Sequence, residues 1–291
     1  MSAAPAPPAR IAALHRYPVK SMLGETVETV TVTGRGVVGD RAYALVDQES
    51  GKVASAKNPR RWRVLFACRA AYLDAPRTDD DPAPVRITLP DGTHVDTEDP
   101  RVHTVLSELV GRAVRLETRP PERAVLEQYR PHLDGIADDL DETVTDGAVG
   151  VVAPGTFFDA APLHVLTTAT LARLTALAPA SRFTAARFRP NLVVDVGGES
   201  GFVENGWVGR SMTFGAGIEA SVFLAAPRCV MTTLAQEALP RDLGVLQAIA
   251  AHNRFDIPGL GPSSCVGVYA LVTSGGVART ADAVTVEPQA S

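Results

Sequence analysis

Cysteine is scarce in this chain. Three occur in 291 residues, at Cys68, Cys229 and Cys265, with no Cys-x-x-Cys pair and no histidine at zinc or iron–sulfur spacing. An odd, scattered set excludes a disulfide framework and fits a reducing compartment. Without spaced ligands, any metal must arrive largely ligated already, as part of a cofactor. Aromatic residues make up only 5%. No stretch approaches the roughly 18 uninterrupted apolar residues of a membrane span. Basic residues do not predominate either: 28 Lys and Arg against 33 Asp and Glu give a net charge of -5, which excludes a broad nucleic-acid-binding surface. The opening MSAAPAPPAR has neither the charged start nor the apolar core of an export signal. Residues 1–10 read as a disordered tail, and the expected location is the cytoplasm with no membrane association.

What is present is ordinary globular material, 45% apolar and 21% charged, in a chain long enough for two modest domains or one large one. Short segments of period-two alternation recur, as in Thr26 to Val32 (TVETVTV), Ala42 to Asp47, Val64 to Leu73 and Val85 to Leu89, separated by turn chemistry such as Gln48-Glu49-Ser50-Gly51 and Pro90-Asp91-Gly92. Closely spaced short strands predict a β-barrel or sandwich. A helix is expected over Pro100 to Leu109. Residues 121–146 turn acidic, with Asp138-Asp139-Leu140-Asp141-Glu142, and read as a linker. Beyond it, strands are expected at Leu163 to Leu166, Asn191 to Val196, Ile218 to Leu224 and Val266 to Val272. Helices are expected over Ala169 to Leu177, capped by Thr167-Thr168, and over Leu243 to His252. The start of the first of these helices could receive an anion through Thr168, though an ordinary cap is the plainer reading.

The stretch from Arg182 to Thr233 concentrates the chemistry. It opens on Arg182, Arg187 and Arg189, breaks at Pro190-Asn191, and ends at Pro227-Arg228-Cys229. It offers cations for an anion at one end and, at the other, a thiol whose neighbouring guanidinium favours thiolate, the form that attacks sulfur or binds a soft metal. Cys68, within VLFACRA, and Cys265 read as core residues, and the six scattered histidines, His164 among them, are assigned no role.

Four separated pieces, YPVKS (Tyr17 to Ser21), GDR (Gly39 to Arg41), RFRPN (Arg187 to Asn191) and PRC with VMTT around Cys229, resemble the MOSC superfamily. The likeness is to its two-part members with an N-terminal MOSC β-barrel domain, a group that includes the amidoxime-reducing components and bacterial reductases of N-hydroxylated compounds. It runs from about Ile11 to Val286. It implies a mostly β protein with some α, an N-terminal barrel-like domain over 11–120 and a MOSC barrel domain over 147–288. It implies a molybdenum cofactor (molybdopterin) between the halves and, at family level, pyridoxal phosphate binding. By the same likeness Cys229 is the protein ligand to molybdenum and the catalytic residue, and Lys20, Ser21, Arg41, Arg189 and Asn191 hold the cofactor. Ser55 and Lys57 stand where relatives have a Thr-x-Arg pair, and Arg228 and Thr168 complete the cofactor-binding set. A phosphate needs Lys or Arg with hydroxyl and backbone donors, and metal held by dithiolene sulfurs needs only one thiolate from the protein.

The chain departs from the reductases in three places. Their Val-Asp-Pro-x-Thr-Gly segment after the cysteine is replaced by Thr232 to Pro240, a more helix-prone stretch. Ala226 stands where the first cysteine of a Cys-x-Arg-Cys arrangement would be. No ferredoxin-like cysteine cluster follows, so electrons are expected from a separate ferredoxin, flavodoxin or cytochrome b5-like donor with its reductase. The leading expectation is an oxidoreductase that reduces small N-hydroxylated substrates by oxygen-atom transfer. The alternatives are a sulfur carrier, with a persulfide on Cys229 loaded by a cysteine desulfurase, and a non-catalytic molybdopterin-binding module.

Overall fold

The computed structural model describes residues 8–78, 82–129 and 144–288. The chain is β-rich, as expected, and among the described residues no helix is long and apolar enough to cross a membrane. Its first part contains β1 (Arg10–Arg16), β2 (Glu25–Val27), β3 (Thr29–Thr33), β4 (Gly36–Val37), β5 (Ala44–Asp47), α1 (Pro59–Trp62), β6 (Arg69–Tyr72), β7 (Val85–Thr88), β8 (His94–Asp96), α2 (Val102–Val110) and β9 (Val114–Glu117). Alternation accounts for β3: Val30 and Val32 point inward and the threonines outward. The expected strand Val64 to Leu73 is only half a strand. Pro59 opens α1, and a 3-10 turn over Arg63–Ala67 buries Leu65 and Phe66 before β6 begins. An apolar run that short can pack equally well from either backbone form.

β10 (Val125–Tyr129) and β11 (Val144–Ala148) pair with each other, so both ends of the expected 121–146 linker are strands. Its acidic run at 138–142 lies outside the described residues, as do residues 1–7 of the expected tail, whose last residue, Arg10, already belongs to β1.

The second part adds β12 (Leu163–Thr167), α3 (Thr168–Leu177), α4 (Ala185–Phe188), β13 (Leu192–Asp195), β14 (Ser211–Phe214), β15 (Ile218–Pro227), α5 (Gly244–His252), β16 (Arg254–Ile257), β17 (Gly261–Ser274), β18 (Gly276–Arg279) and β19 (Val284–Val286). Among the described residues these build a nine-stranded sheet in the order β19-β14-β15-β17-β12-β13-β1-β2, with β16 paired to β17. Only β12 and β13 run parallel, joined through α3 and α4 as a parallel pair requires. The ladder does not close into a barrel. Its far ends approach where Arg10 bridges Ala283 and the amide of Val284 donates to the Ala9 carbonyl at 2.9 Å.

Two large cores and four smaller apolar clusters form among the described residues, and the two large ones do not divide at residue 120. Ile11, Leu14, Val30, Val32 and Val37 pack in one core with strands from 163 to 284. The rest of the N-terminal part closes a second core around Leu45, Leu65, Ile87, Leu106 and Leu116. The linear boundary of the expected 11–120 domain is thus not the spatial one, because β1 and β3 find their hydrogen-bond partners in β13 and β18. The segment 17–23 passes from one core to the other, with a parallel bridge from Val19 to Tyr43 and another from Leu23 to Arg69.

Candidate functional site

The crossing segment, the GDR turn and the end of α4 share an unusual backbone. Ser21 (φ 65°), Arg41 (φ 50°) and Arg189 (φ 57°) are left-handed without being glycine, and among the described residues only Glu237 and Ala281 do the same. Such conformations cost about 1–3 kcal/mol each and persist where surroundings over-determine them, typically at functional sites. At Arg189 the cause is local: α4 ends there, and Pro190 disfavours continuing the right-handed turn.

One buried carboxylate ties these turns together. Asp40 accepts the Tyr17 amide at 2.8 Å, takes the Asn191 side-chain amide at 2.9 Å, and pairs with Arg41. Asn191 in turn accepts the His164 amide at 3.1 Å. The Tyr17 ring lies between two guanidinium groups, Arg189 at 4.2 Å and Arg41 at 4.5 Å, a stack in which each cation meets a ring face. Burial pushes the Tyr17 phenol up to about 12 against the pull of those arginines, and burial, aided by Arg41, brings the Arg189 guanidinium down to about 10. Arg189 is fixed by the Met22 carbonyl at 2.7 Å.

A second acidic residue holds the lysines. Asp159 pairs with Lys20 and, at 3.0 Å, with Lys57, while Lys20 also donates to the Phe157 carbonyl at 2.7 Å. Burial opposes the Asp159 charge, but Lys20 and then Lys57 outweigh it and hold the carboxyl well below its usual range. Burial dominates at Lys20, whose ammonium lies below its ordinary value despite Asp159. At Lys57 burial also works against the charge, yet Asp159 and then Cys229 favour it, and the ammonium is held above its ordinary value.

All of this surrounds one cleft of about 660 Å³. Of the ten residues singled out from the sequence, all but Ser55 and Thr168 line it. Six basic residues face it against Asp146 and Asp159, so cations are concentrated locally in a chain whose net charge is negative. Cys229 lies on its wall, half-buried and free, where β15 has ended and a 3-10 turn over Val230–Thr233 begins. Cys68 and Cys265 are fully buried as expected, and burial pushes their thiols up to about 12 and about 11.

Several roles differ from those expected. The Arg228 guanidinium turns to the Phe188 carbonyl at 3.0 Å and the Tyr269 hydroxyl at 2.6 Å, so the cation whose charge responds to Cys229 is Lys57. Arg187 is wholly buried and donates to the carbonyls of Arg182, Thr232, Leu234 and Pro240, bracing the loop after Cys229. That loop is not helical beyond Thr233: Gln236 and Leu239 bridge around a left-handed Glu237. Ser55 is buried away from the cleft, its hydroxyl accepting the Lys57 amide at 3.2 Å. Thr168 is merely the first residue of α3. The cap is Thr167, and the buried carboxyl of Glu204, bonded by the Thr167 and Thr170 hydroxyls at 2.6 Å each, already faces the helix start. A second anion has no place there.

The sequence reading also missed residues. Tyr17 and Asp40 stand inside the motifs quoted and Asp159 far from all of them, and together they supply the countercharge and stacking that fix the cations. His164 lines the cleft as a buried imidazole that burial, then Arg228, keeps well below its usual value. Its neighbour Gly267 is left-handed (φ 77°), and a Cβ there would lie 2.4 Å from the imidazole Nε2. Tyr269, on β17, carried no local signal at all. Only the register that sets Leu224 against Tyr269 brings it to the Cys229 wall.

The donor set suits an anionic cofactor carrying its own metal. Lys57, Lys20 and Arg41 retain ammonium or guanidinium donors toward the cleft, the buried Ser264 hydroxyl on its wall has no partner, and Cys229 supplies one soft ligand. Asn191 fits less directly, since both ends of its amide are engaged by protein.

The chain belongs to the MOSC-domain proteins. The MOSC N-terminal beta barrel domain matches residues 8–113 and the MOSC domain residues 153–285, and this family is associated with proteins of the molybdenum-cofactor-sulfurase type. No curated protein matches the sequence. Among solved structures, the YuaD protein from Bacillus subtilis is 10% identical with a TM-score of 0.42 over 97% of both chains. YiiM from Geobacillus stearothermophilus is 15% identical with a TM-score of 0.32 over 44% of this chain and 55% of its own.

Proposed function

We propose that this protein is a molybdenum-cofactor-dependent oxidoreductase that reduces N-hydroxylated compounds. The observation that carries the reading is the half-buried Cys229 thiol in the same cation-lined cleft as Lys20, Arg41, Lys57 and Arg189. Lys20, Lys57 and Arg41 would hold the cofactor's phosphate, with Ser21 and Ser264 adding hydroxyls, and Cys229 would give molybdenum its protein thiolate. Arg189 and Asn191 act one step back, as Arg189 stacks on Tyr17 and Asn191 fixes Asp40. When bound, the cofactor supplies two-electron redox chemistry at the metal, and the protein contributes position and electrostatics. Lys57 stands in the same cleft as Cys229, and Asp159 works to keep its ammonium charged. A separate reduced donor protein is the electron source.

The test is metal and pterin analysis of the chain produced in a host that makes molybdopterin. Near-stoichiometric molybdenum that falls at least tenfold in Cys229→Ser, with the fold intact by circular dichroism, is the expected result. Molybdenum absent from the wild type, or unchanged in the variant, defeats the reading.

The exposure of Cys229 beside Lys57 also favours a second reading, in which the thiolate accepts sulfane sulfur from a cysteine desulfurase. Mass spectrometry after incubation with a desulfurase and cysteine tests it: a gain of one sulfur at Cys229 supports it, and no gain rules it out.

A further inference from the structure

Tyr269 lines the cleft with both its ring and its hydroxyl held in place. It is half-buried on the same wall as Cys229, and its hydroxyl oxygen accepts a 2.6 Å hydrogen bond from Arg228. Arg228 cannot swing away, because the Phe188 carbonyl at 3.0 Å and the Pro227 carbonyl at 2.9 Å hold its other nitrogens. The ring is fixed from behind by His164, edge-on at 5.4 Å. A hydroxyl has one proton to give and two lone pairs. Among the described residues one lone pair is satisfied by Arg228, and the proton has no protein acceptor. Lys57, Cys229 and Tyr269 line the same cleft, which brings phenol, thiol and ammonium to one space.

We propose that Tyr269 is the catalytic acid of the N–O reduction, and that Arg228 is its positioning residue rather than a cofactor-binding cation. The inference rests on the oxidoreductase reading above. The phenol donates its hydrogen bond to the substrate's N-hydroxyl oxygen. As the N–O bond breaks, the phenolic proton passes to that oxygen, which departs at the oxidation level of water. Two electrons come from the reduced donor protein, the second proton comes from solvent, and the nitrogen product is the amine or amidine with one water. The phenolate left behind faces Arg228 and Lys57, and solvent entering the cleft reprotonates it. A phenol fixed against a guanidinium in a cation-lined cleft suits this task because the phenolate it leaves has a positive partner already in place.

The experiment uses the full chain carrying its cofactor, with an aromatic amidoxime as substrate and the matching amidine, which lacks the oxygen, as a non-reacting probe. Tyr269→Phe keeps the ring and the His164 contact and removes only the hydroxyl. It is expected to retain wild-type molybdenum and pterin content, to lower kcat by about a hundredfold and to leave KM within about threefold. Without a reductant no turnover occurs, and equilibrium binding then reads the contact itself. The wild type is expected to prefer the amidoxime over the amidine by about tenfold, and Tyr269→Phe to lose that preference. Arg228→Gln should show a smaller fall in kcat with cofactor content unchanged, since the phenol remains but is less well aimed. A loaded Tyr269→Phe that turns over like the wild type, or keeps the binding preference, overturns this proposal and leaves the oxidoreductase reading standing. A wild type that takes up no molybdenum overturns both.

Discussion

The nine-stranded sheet and the cleft beside it were built under different rules. The sheet is relaxed: its inward positions are aliphatic, Leu163, Val165, Leu192 and Val268 are all fully buried, and its ladder satisfies the backbone. The cleft and the turns behind it hold three non-glycine residues in left-handed backbone, the buried carboxylate of Asp40, the half-buried one of Asp159 and several cations packed against carbonyls and one another. None of these features favours folding by itself. A region that costs stability persists when a larger one offsets it, and here the sheet and the second core do so.

The sharpest way to test that division is to damage each side and compare. Leu163→Ala, in the centre of the sheet core, should cost about 3–4 kcal/mol in denaturant unfolding by leaving a cavity that aliphatic neighbours cannot fill. A cost under about 1 kcal/mol would mean that the sheet is not the supporting element. Asp159→Asn leaves Lys20 and Lys57 facing each other without their common carboxylate, and should cost about 3 kcal/mol. An unchanged or raised midpoint would show that the lysines do not need that carboxylate.

Acid titration separates the two regions by sign. The Asp159 carboxyl is held below its ordinary value in the folded state, so its contribution is present above about pH 4 and is lost as pH falls further. Burial holds the Glu204 carboxyl, under the sheet, above its ordinary value, even though Thr167 and Thr170 donate to it. Glu204 therefore binds its proton more tightly when folded, and its share of stability grows as pH falls from neutral toward about 4. Unfolding midpoints measured across that range should lose part of their rise in Glu204→Gln and part of their later fall in Asp159→Asn. Identical profiles for both variants and the wild type would contradict the assignment.

The smallest expected effect concerns the backbone. Ser21→Gly removes the left-handed penalty but loses a hydroxyl that accepts the Ala56 amide at 3.0 Å. The two nearly cancel, leaving a change within about 1 kcal/mol. The same substitution at Val194 in β13, where backbone and burial both suit valine, should cost several times more.

Much of the sheet was legible because it obeys a local rule. Alternation and turn residues marked β5, β7, β12 and β13 at close to their true bounds, and the Thr167-Thr168 start marked α3. The expected strand Thr26 to Val32 is instead split at Glu28 into β2, which pairs with β1, and β3, which pairs with β18. The Arg63–Ala67 turn was not legible, since a buried apolar run of that length has no period of its own. In the cleft, the motif residues Lys20, Ser21, Arg41, Arg189 and Cys229 stood out as cations, turns and a thiol. Their partners did not, because Asp40, Asp159 and Tyr269 are common residue types whose meaning is set by what lies across from them.

By itself, then, the sequence determined which segments alternate, where they turn, and that cations and one thiol recur near turns, since these are properties of neighbours along the chain. The tertiary structure decided that β1 and β3 would serve the other core, that Asp159 would pair two lysines, and that the Arg228 guanidinium would donate to Tyr269 and Phe188. Those outcomes depend on strand register and on competition among donors for a few buried acceptors, and neither is written in any local stretch of residues.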